Sequence, residues 1–290
     1  NNTGRVDVQS GTLSIGATGT HTGLFNVAPG KTLNFSGDNS FTAETFQGGG
    51  TLTLSGGTQS FAGANVVTGT TLTVNGATLN GSGSIALDNA SGLNLSSGVI
   101  GNASVTVGGA FNWSGSGASA ISTGGGLTVN GGTTITGAGE KLVNGGVLIL
   151  ASDTSWDGAG RIQLGNSFGS LGGSITNQVT RTFEVSGDGT LANDIGGSGV
   201  FNNAGTFLKS GGLGTTSIRL SNPLTFNNTG RVDVQSGVLN VDASLTQSGT
   251  INVGNAATFR RTGGFTNDLT GIVQGSGTID VGLVNALVNN

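Results

Sequence analysis

The feature that most constrains this chain is a short pattern that returns along its 290 residues: Asn or Gly, any residue, Gly, any residue, apolar, any residue, apolar. It reads NTGRVDV at 2–8, QSGTLSI at 9–15, GGGTLTL at 48–54, TGTTLTV at 68–74, GSGSIAL at 81–87 and NGGVLIL at 144–150. Further along it reads NAGTFLK at 203–209, NTGRVDV at 228–234, QSGVLNV at 235–241, QSGTINV at 247–253 and GSGTIDV at 275–281. Each instance predicts a short strand of period two, in which Val6 and Val8 share one face and Arg5 and Asp7 the other. Gly with Asn, Asp or Ser bounds each strand, and these residues tolerate the left-handed conformations of sharp corners. Thr, Asn, Ser, Val and 58 Gly dominate the chain. They are weak helix formers or breakers, so no helix longer than one turn is expected.

Strand, corner, strand, corner continues without a helical interruption, and this selects among all-β architectures. An immunoglobulin-like sandwich closes in about 100 residues, whereas this pattern simply goes on. A transmembrane barrel needs strands of about 9 to 11 residues with aromatic girdles, and here Tyr is absent and Trp occurs twice. Collagen is excluded because the glycines keep no three-residue period and only two Pro are present. The expected fold is therefore all-β, a right-handed parallel β-helix (solenoid) with short strands and Gly/Asn corners, its inward apolar residues buried in columns. At about 20 to 25 residues per turn it makes about 12 to 14 turns. At the usual strand spacing these span roughly 55 to 70 Å.

A longer repeat lies over the short one. NNTGRVDVQSG at 1–11 recurs letter for letter at 227–237, an offset of 226. Over the first 37 residues that offset gives 19 identities, the first eleven plus Leu13, Ala17, Thr20, Gly23, Asn26, Val27, Thr32 and Gly37. With a small shift the match runs on, FTAETFQGGGTLTL at 41–54 facing FTNDLTGIVQGSGTIDV at 265–281. The chain thus reads as one full β-helical unit, 1–226, continuous with the beginning of a second copy, 227–290. A parent protein with several such units is the simplest source, and the absence of Met fits a processed product or excerpt.

The net charge is −4, with 10 basic and 14 acidic residues. That thin spread predicts no attraction to nucleic acid or anionic lipid, both of which want a concentrated basic surface. No run of about 18 apolar residues suggests membrane insertion, and without Cys neither disulfides nor thiolate metal sites are available.

Candidate chemistry is sparse. His21 is the only histidine, and THTG reads as a polar loop that leaves it solvated. Asp38, Glu44, Asp88, Glu140, Asp153, Asp157, Glu184, Asp188 and Asp194 are scattered. The most site-like cluster is Asp153 and Asp157 flanking Trp156, because an aromatic beside acids can cradle a sugar face and paired acids can flank a scissile bond. Trp113, in FNWSGSG (111–117), repeats the Trp motif with no acid near it, so a packing corner is the first reading of both. Lys31, Lys141 and Lys209 stand isolated, which leaves a lyase without its proton acceptor. GDGTLANDIGGSG (187–199) lacks the periodicity that builds calcium cages from nonapeptide loops. Arg5 with Asp7, and Arg231 with Asp233, are expected to pair on the outward strand face, each worth well under about 1 kcal/mol. Arg260 and Arg261 should point to opposite faces. The glycine runs at 48–50 and 124–126 lack the Lys and Ser or Thr of a phosphate loop. No catalytic residue, cofactor site or metal site is assigned, and the chain is not expected to be an enzyme.

The stretch GGGTLTLSGGTQSFAGANVVTGTTLTVNG (48–76) resembles the autotransporter-associated β-strand repeat. The longer unit is similar to repeats of giant secreted bacterial proteins of the autotransporter and filamentous-haemagglutinin-like type, through FNWSGSG (111–117), TSWDGAG (154–160), VFNNAGTFLKSGG (200–212) and FNNTGRVDVQSGVLNV (226–241). The resemblance implies a right-handed β-helical rod, secreted or on the cell surface, used in adhesion, biofilm matrix or extracellular fibres. It supplies no catalytic residue. The expected role is a structural repeat module of an extracellular fibre or adhesin stalk, the rival being a carbohydrate-binding or carbohydrate-cleaving β-helix. Glycans and host or cell surfaces are the candidate outside partners. Because NNTGRVDV opens directly on a standard strand and GLVNALVNN does not read as a polar cap, the chain is also expected to associate head to tail into filaments.

Overall fold

In the computed structural model, residues 1–115, 119–122, 124–165, 171–219, 221–262, 266–282 and 288–289 are described. Strands and corners make up all of them, and no helix occurs among them. Every pattern instance named above falls on a strand.

Three short strands make one turn. Arg5–Val8, Thr12–Ile15 and Gly19–His21 are followed by Leu24–Val27, which lies parallel on Arg5–Val8 with Val6 facing Phe25 and Val8 facing Val27. Thr32–Phe35 then covers Thr12–Ile15, and Asn39–Thr42 covers Gly19–His21. Repetition produces three parallel ladders, the first holding fourteen strands. The second and third ladders join where Thr71–Asn80 and Leu93–Ile100 each run through both. This is a parallel β-solenoid. Its turns vary in length, from 18 residues between Leu93 and Phe111 to 29 between Thr154 and Phe183. Of the eleven instances of the pattern six fall on the second strand of a turn, three on the first and two on the third. Gly19–His21 and Asn39–Thr42 carry no apolar alternation of their own and lie outside every instance of the pattern.

The chain divides into two compact units, Asn1–Thr134 with Gly146–Leu148, and Ile135–Gly145 with Ile149–Asn290. The boundary between the two sequence copies, at 226 and 227, falls inside the second unit.

Parallel in-register pairing places equivalent side chains of successive turns about 4.8 Å apart, so like stacks on like. In the first unit His21, Phe41 and Phe61 form one column, with ring centroids 5.1 and 5.0 Å apart and interplanar angles of 22° and 23°. Phe25 and Phe46 form another at 5.6 Å and 7°. In the second unit Phe183 stacks on Phe207 at 5.6 Å and 10°. Rings offset-stacked or edge-on in this way add about 0.5–1.5 kcal/mol per pair to the burial of their area. A second kind of column in that unit is polar. The Asn177 amide donates to Asn203 Oδ1, Asn203 to Asn228 Oδ1 and Asn228 to Gln247 Oε1, each at 2.8 Å. All four residues are buried. A carboxamide carries both donor and acceptor, so one bond can hand on to the next, and at the start of the column Asn177 Oδ1 is left without a partner.

Corners need left-handed backbone and close approach. Gly81, at φ +103°, is one such position, and a Cβ there would fall onto the carbonyl oxygen of Phe61. Thr180 and Ala256 hold φ of 65° and 64° without that freedom.

Candidate functional site

The cluster with most promise in the sequence does not assemble as a site. Trp156 is the last residue of strand Thr154–Trp156 and points inward, fully buried, its indole Nε1 donating to Ala159 O at 3.2 Å. A Cβ at Gly189 would lie 2.5 Å from Trp156 Cη2, so the neighbouring turn has a glycine where the ring needs room. Asp157 accepts from Ala159 N at 2.8 Å, and Asp153 accepts from Thr182 N at 2.8 Å. The indole is a core side chain and the two carboxylates hold corners, so no aromatic platform faces solvent between them. Trp113 is likewise buried, with Nε1 donating to Ser119 Oγ at 2.5 Å. The last two residues of its motif lie outside the described residues.

His21 is a correction. It is 2% exposed rather than solvated. As the third residue of Gly19–His21 it points inward, stacked on Phe41 and edge-on to Phe25 and Phe35, each 5.4 Å away. Nε2 meets Asn39 Oδ1 at 3.1 Å, while Nδ1 has no partner. Burial holds its pKa below the ordinary value, so the ring is neutral at pH 7. The legible signal was the spacing: His21, Phe41 and Phe61 are 20 apart, and the column reads as aromatic at every step.

Glu44 was placed among scattered acids, and the structure singles it out. It lies in the corner between Asn39–Thr42 and Thr45–Gln47, wholly buried. Oε2 accepts from Gly23 N at 2.8 Å, its own backbone N donates to Asn65 Oδ1 at 2.9 Å, and Oε1 has no partner. Desolvation pushes its pKa up to about 7, against a smaller lowering by the Gly23 bond. One turn earlier, Gly23 offers the carboxyl its backbone N–H. Sequence alone gives no sign of that.

Lys209 and Lys141 are not isolated, a second correction. Lys209 is fully buried, its Nζ donating to Gly187 O at 3.1 Å, Gly211 O at 2.8 Å and Asp188 Oδ1 at 2.9 Å. The hydrogen bond from Lys209 is the largest cause of a lowered pKa at Asp188. In the 187–199 segment Gly187 O and Asp188 Oδ1 are thus both taken by an ammonium. Lys141, also buried, donates to Gly137 O at 2.5 Å and Gly139 O at 2.8 Å, and burial lowers its pKa. Arg260 and Arg261 do part company: Arg260 Nε donates outward to Asp280 at 2.8 Å, whereas Arg261 reaches Val241 O and Ala243 O at 3.0 and 2.6 Å. Asp7 and Asp233 take their Arg5 and Arg231 partners at 2.7 and 3.2 Å.

Glu140 pairs with Arg161 at 3.7 Å and Asp194 with Arg219 at 2.6 Å, and three further acids bridge turns. Asp38 accepts from Thr58 N at 2.7 Å, Asp88 from Gly69 N at 3.1 Å and Glu184 from Ser210 Oγ at 2.6 Å. Each ties its own turn to a neighbouring one, Asp38 and Glu184 to the turn after and Asp88 to the turn before. No group of three or more His, Cys, Asp or Glu able to hold a metal ion occurs among the described residues.

No protein-family profile matches the chain, and no curated protein matches it. Among solved structures it is similar to the crystal structure of a TibA fragment hyper-glycosylated by TibC, at 20% identity over 99% of this chain and 100% of that one, with a TM-score of 0.35. A superposition of that quality carries no functional weight. The strand ladders themselves define the fold.

Proposed function

We propose that the chain is a structural segment of an extracellular or cell-surface bacterial fibre or adhesin stalk, whose work is to span distance and present surface. The observation that carries this reading is the use made of its chemistry-bearing side chains. Trp156, Trp113, His21, Lys141 and Lys209 are all inside, holding rings or corner carbonyls in place, and the acids staple one turn to the next. Continuous parallel ladders leave few unpaired backbone groups except at sheet edges, which suits a part that must resist pulling and proteolysis. Its partner in assembly is a second copy, head to tail.

Single-molecule pulling of the 290-residue chain tests the reading. The expected trace shows high-force rupture followed by extension in steps of one or a few turns. Smooth low-force extension, or saturable glycan binding or polysaccharide cleavage that a single point substitution abolishes, would overturn it.

A further inference from the structure

We infer that the 226-residue repeat is out of phase with the turn by one strand, so that successive copies carry the same outward residues on successive ladders. The identical strands Arg5–Val8 and Arg231–Val234 do not occupy equivalent places. Arg5–Val8 belongs to the first ladder, paired with Leu24–Val27. Arg231–Val234 belongs to the second, between Thr206–Lys209 and Thr250–Val253. The next strands keep the same displacement. Thr12–Ile15 is in the second ladder and its counterpart Val238–Val241 in the third, paired with Thr215–Arg219. Gly19–His21 is in the third ladder and its counterpart Ser244–Gln247 in the first, paired with Leu224–Asn228. Counting along the first ladder, Leu224–Asn228 is the tenth strand after Arg5–Val8, and Arg231–Val234 follows it. The repeat is therefore ten turns and one strand.

The outward chemistry survives the displacement intact. In the first copy Arg5 holds Asp7, Asn26 Nδ2 donates to Asp7 Oδ1 at 2.8 Å, and Gln47 Nε2 donates to Asn26 Oδ1 at 3.4 Å. In the second copy Arg231 holds Asp233, Asn252 Nδ2 donates to Asp233 Oδ1 at 2.8 Å, and Gln274 Nε2 donates to Asn252 Oδ1 at 3.4 Å. The inward column changes instead. Asn2, His21 and Phe41 of the first copy are replaced by Asn228, Gln247 and Asn267, in line with the amide column of Asn177 and Asn203. Any strand with alternate inward residues fits any ladder, so core packing does not fix the phase. In a chain with further copies, the Arg–Asp–Asn–Gln patch steps to the next ladder with each unit and returns to its own after three. This inference rests on strand pairing and does not depend on the stalk reading.

The test uses the full 290-residue chain, which has no cysteine of its own. Leu208 and Asp233 face each other on neighbouring strands of the second ladder, as do Asp233 and Asn252. The variants L208C/D233C, D233C/N252C and N202C/D233C are oxidised side by side, after circular dichroism shows that each is folded. The second is the within-copy standard. Closure of L208C/D233C at a rate within about threefold of that standard, with no closure of N202C/D233C, is the expected result. Closure of N202C/D233C at that rate, or failure of L208C/D233C while the standard closes, would overturn the inference. If the standard itself stays open, the pairing of Arg231–Val234 with Thr250–Val253 is wrong and the inference falls with it.

Discussion

At Glu44 burial pushes a carboxyl up to about 7, whereas hydrogen bonds hold Asp7, Asp88, Asp188 and Asp233 below the usual carboxylate range. A pKa raised to about 7 means that the folded state binds the proton more tightly than the unfolded chain does. The contribution to stability is therefore full below the ordinary carboxyl pKa and is lost as pH rises through about 7. From pH 5 to pH 8 the loss amounts to roughly 3 kcal/mol at most. Glu44→Gln removes the titration, so the variant is expected to be more stable than the parent at pH 8 by about 1–3 kcal/mol and to lose that advantage at pH 5. Denaturant midpoints of both proteins at the two pH values decide it, and parallel pH trends would refute a protonated Glu44. At His21 the expectation is reversed from that of a solvated residue. His21→Ala leaves a hole beside Phe41 and should cost about 2–4 kcal/mol, whereas a solvated histidine would change stability by about 0.5 kcal/mol or less. Thermal unfolding at pH 7 separates the two.

Among elements, the amide column is where inside and outside can be compared on adjacent residues. Asn203 is buried and bonded on both sides, by Asn177 and to Asn228, while its neighbour Asn202 sits on the outward face of the same strand, Ser198–Asn203. Asn203→Ala breaks two links, leaving Asn177 Nδ2 without one acceptor and Asn228 Oδ1 without its donor, and should cost about 2–3 kcal/mol. Asn202→Ala should cost less than about 1 kcal/mol. Amide hydrogen exchange is the sharper readout. Protection is expected to fall in Leu171–Asn177 and Leu224–Asn228 for the Asn203 variant alone, and equal loss in both variants would mean that the column does not join its turns.

For the molecule as a whole, a ladder has an edge wherever stacking stops. Arg5–Val8 pairs on one side with Leu24–Val27 and is the outermost strand of the first ladder, with Leu13 of the next strand 37% exposed. Such an edge offers unpaired N–H and C=O groups to another chain. The isolated chain is expected to associate head to tail in a heterologous contact that does not close. Placing Lys and Pro in the outermost strands, for instance at Val6 and Leu13, should shorten the particles seen by electron microscopy or light scattering. Uncapped chains that remain monomeric at high concentration, indistinguishable from capped ones, would show the edge to be inert.

The sequence by itself determined the strands, the corners and the stacking of turns. Period two and glycine are local instructions that need no knowledge of the neighbours, and RVDV is a strand wherever it occurs. The pairing of Asp7 with Arg5 and the parting of Arg260 from Arg261 follow from that same alternation. The tertiary structure alone decided what stacks on what. Because turns range from 18 to 29 residues, the step from one side chain to the one above it cannot be read along the chain. That step is what folded Glu44 over Gly23 and brought Lys209 to Asp188, whereas the even spacing of 20 from His21 to Phe41 to Phe61 leaves that one column legible. The same freedom sets two identical segments on different ladders, since a ladder asks of a strand only that alternate side chains fit inside.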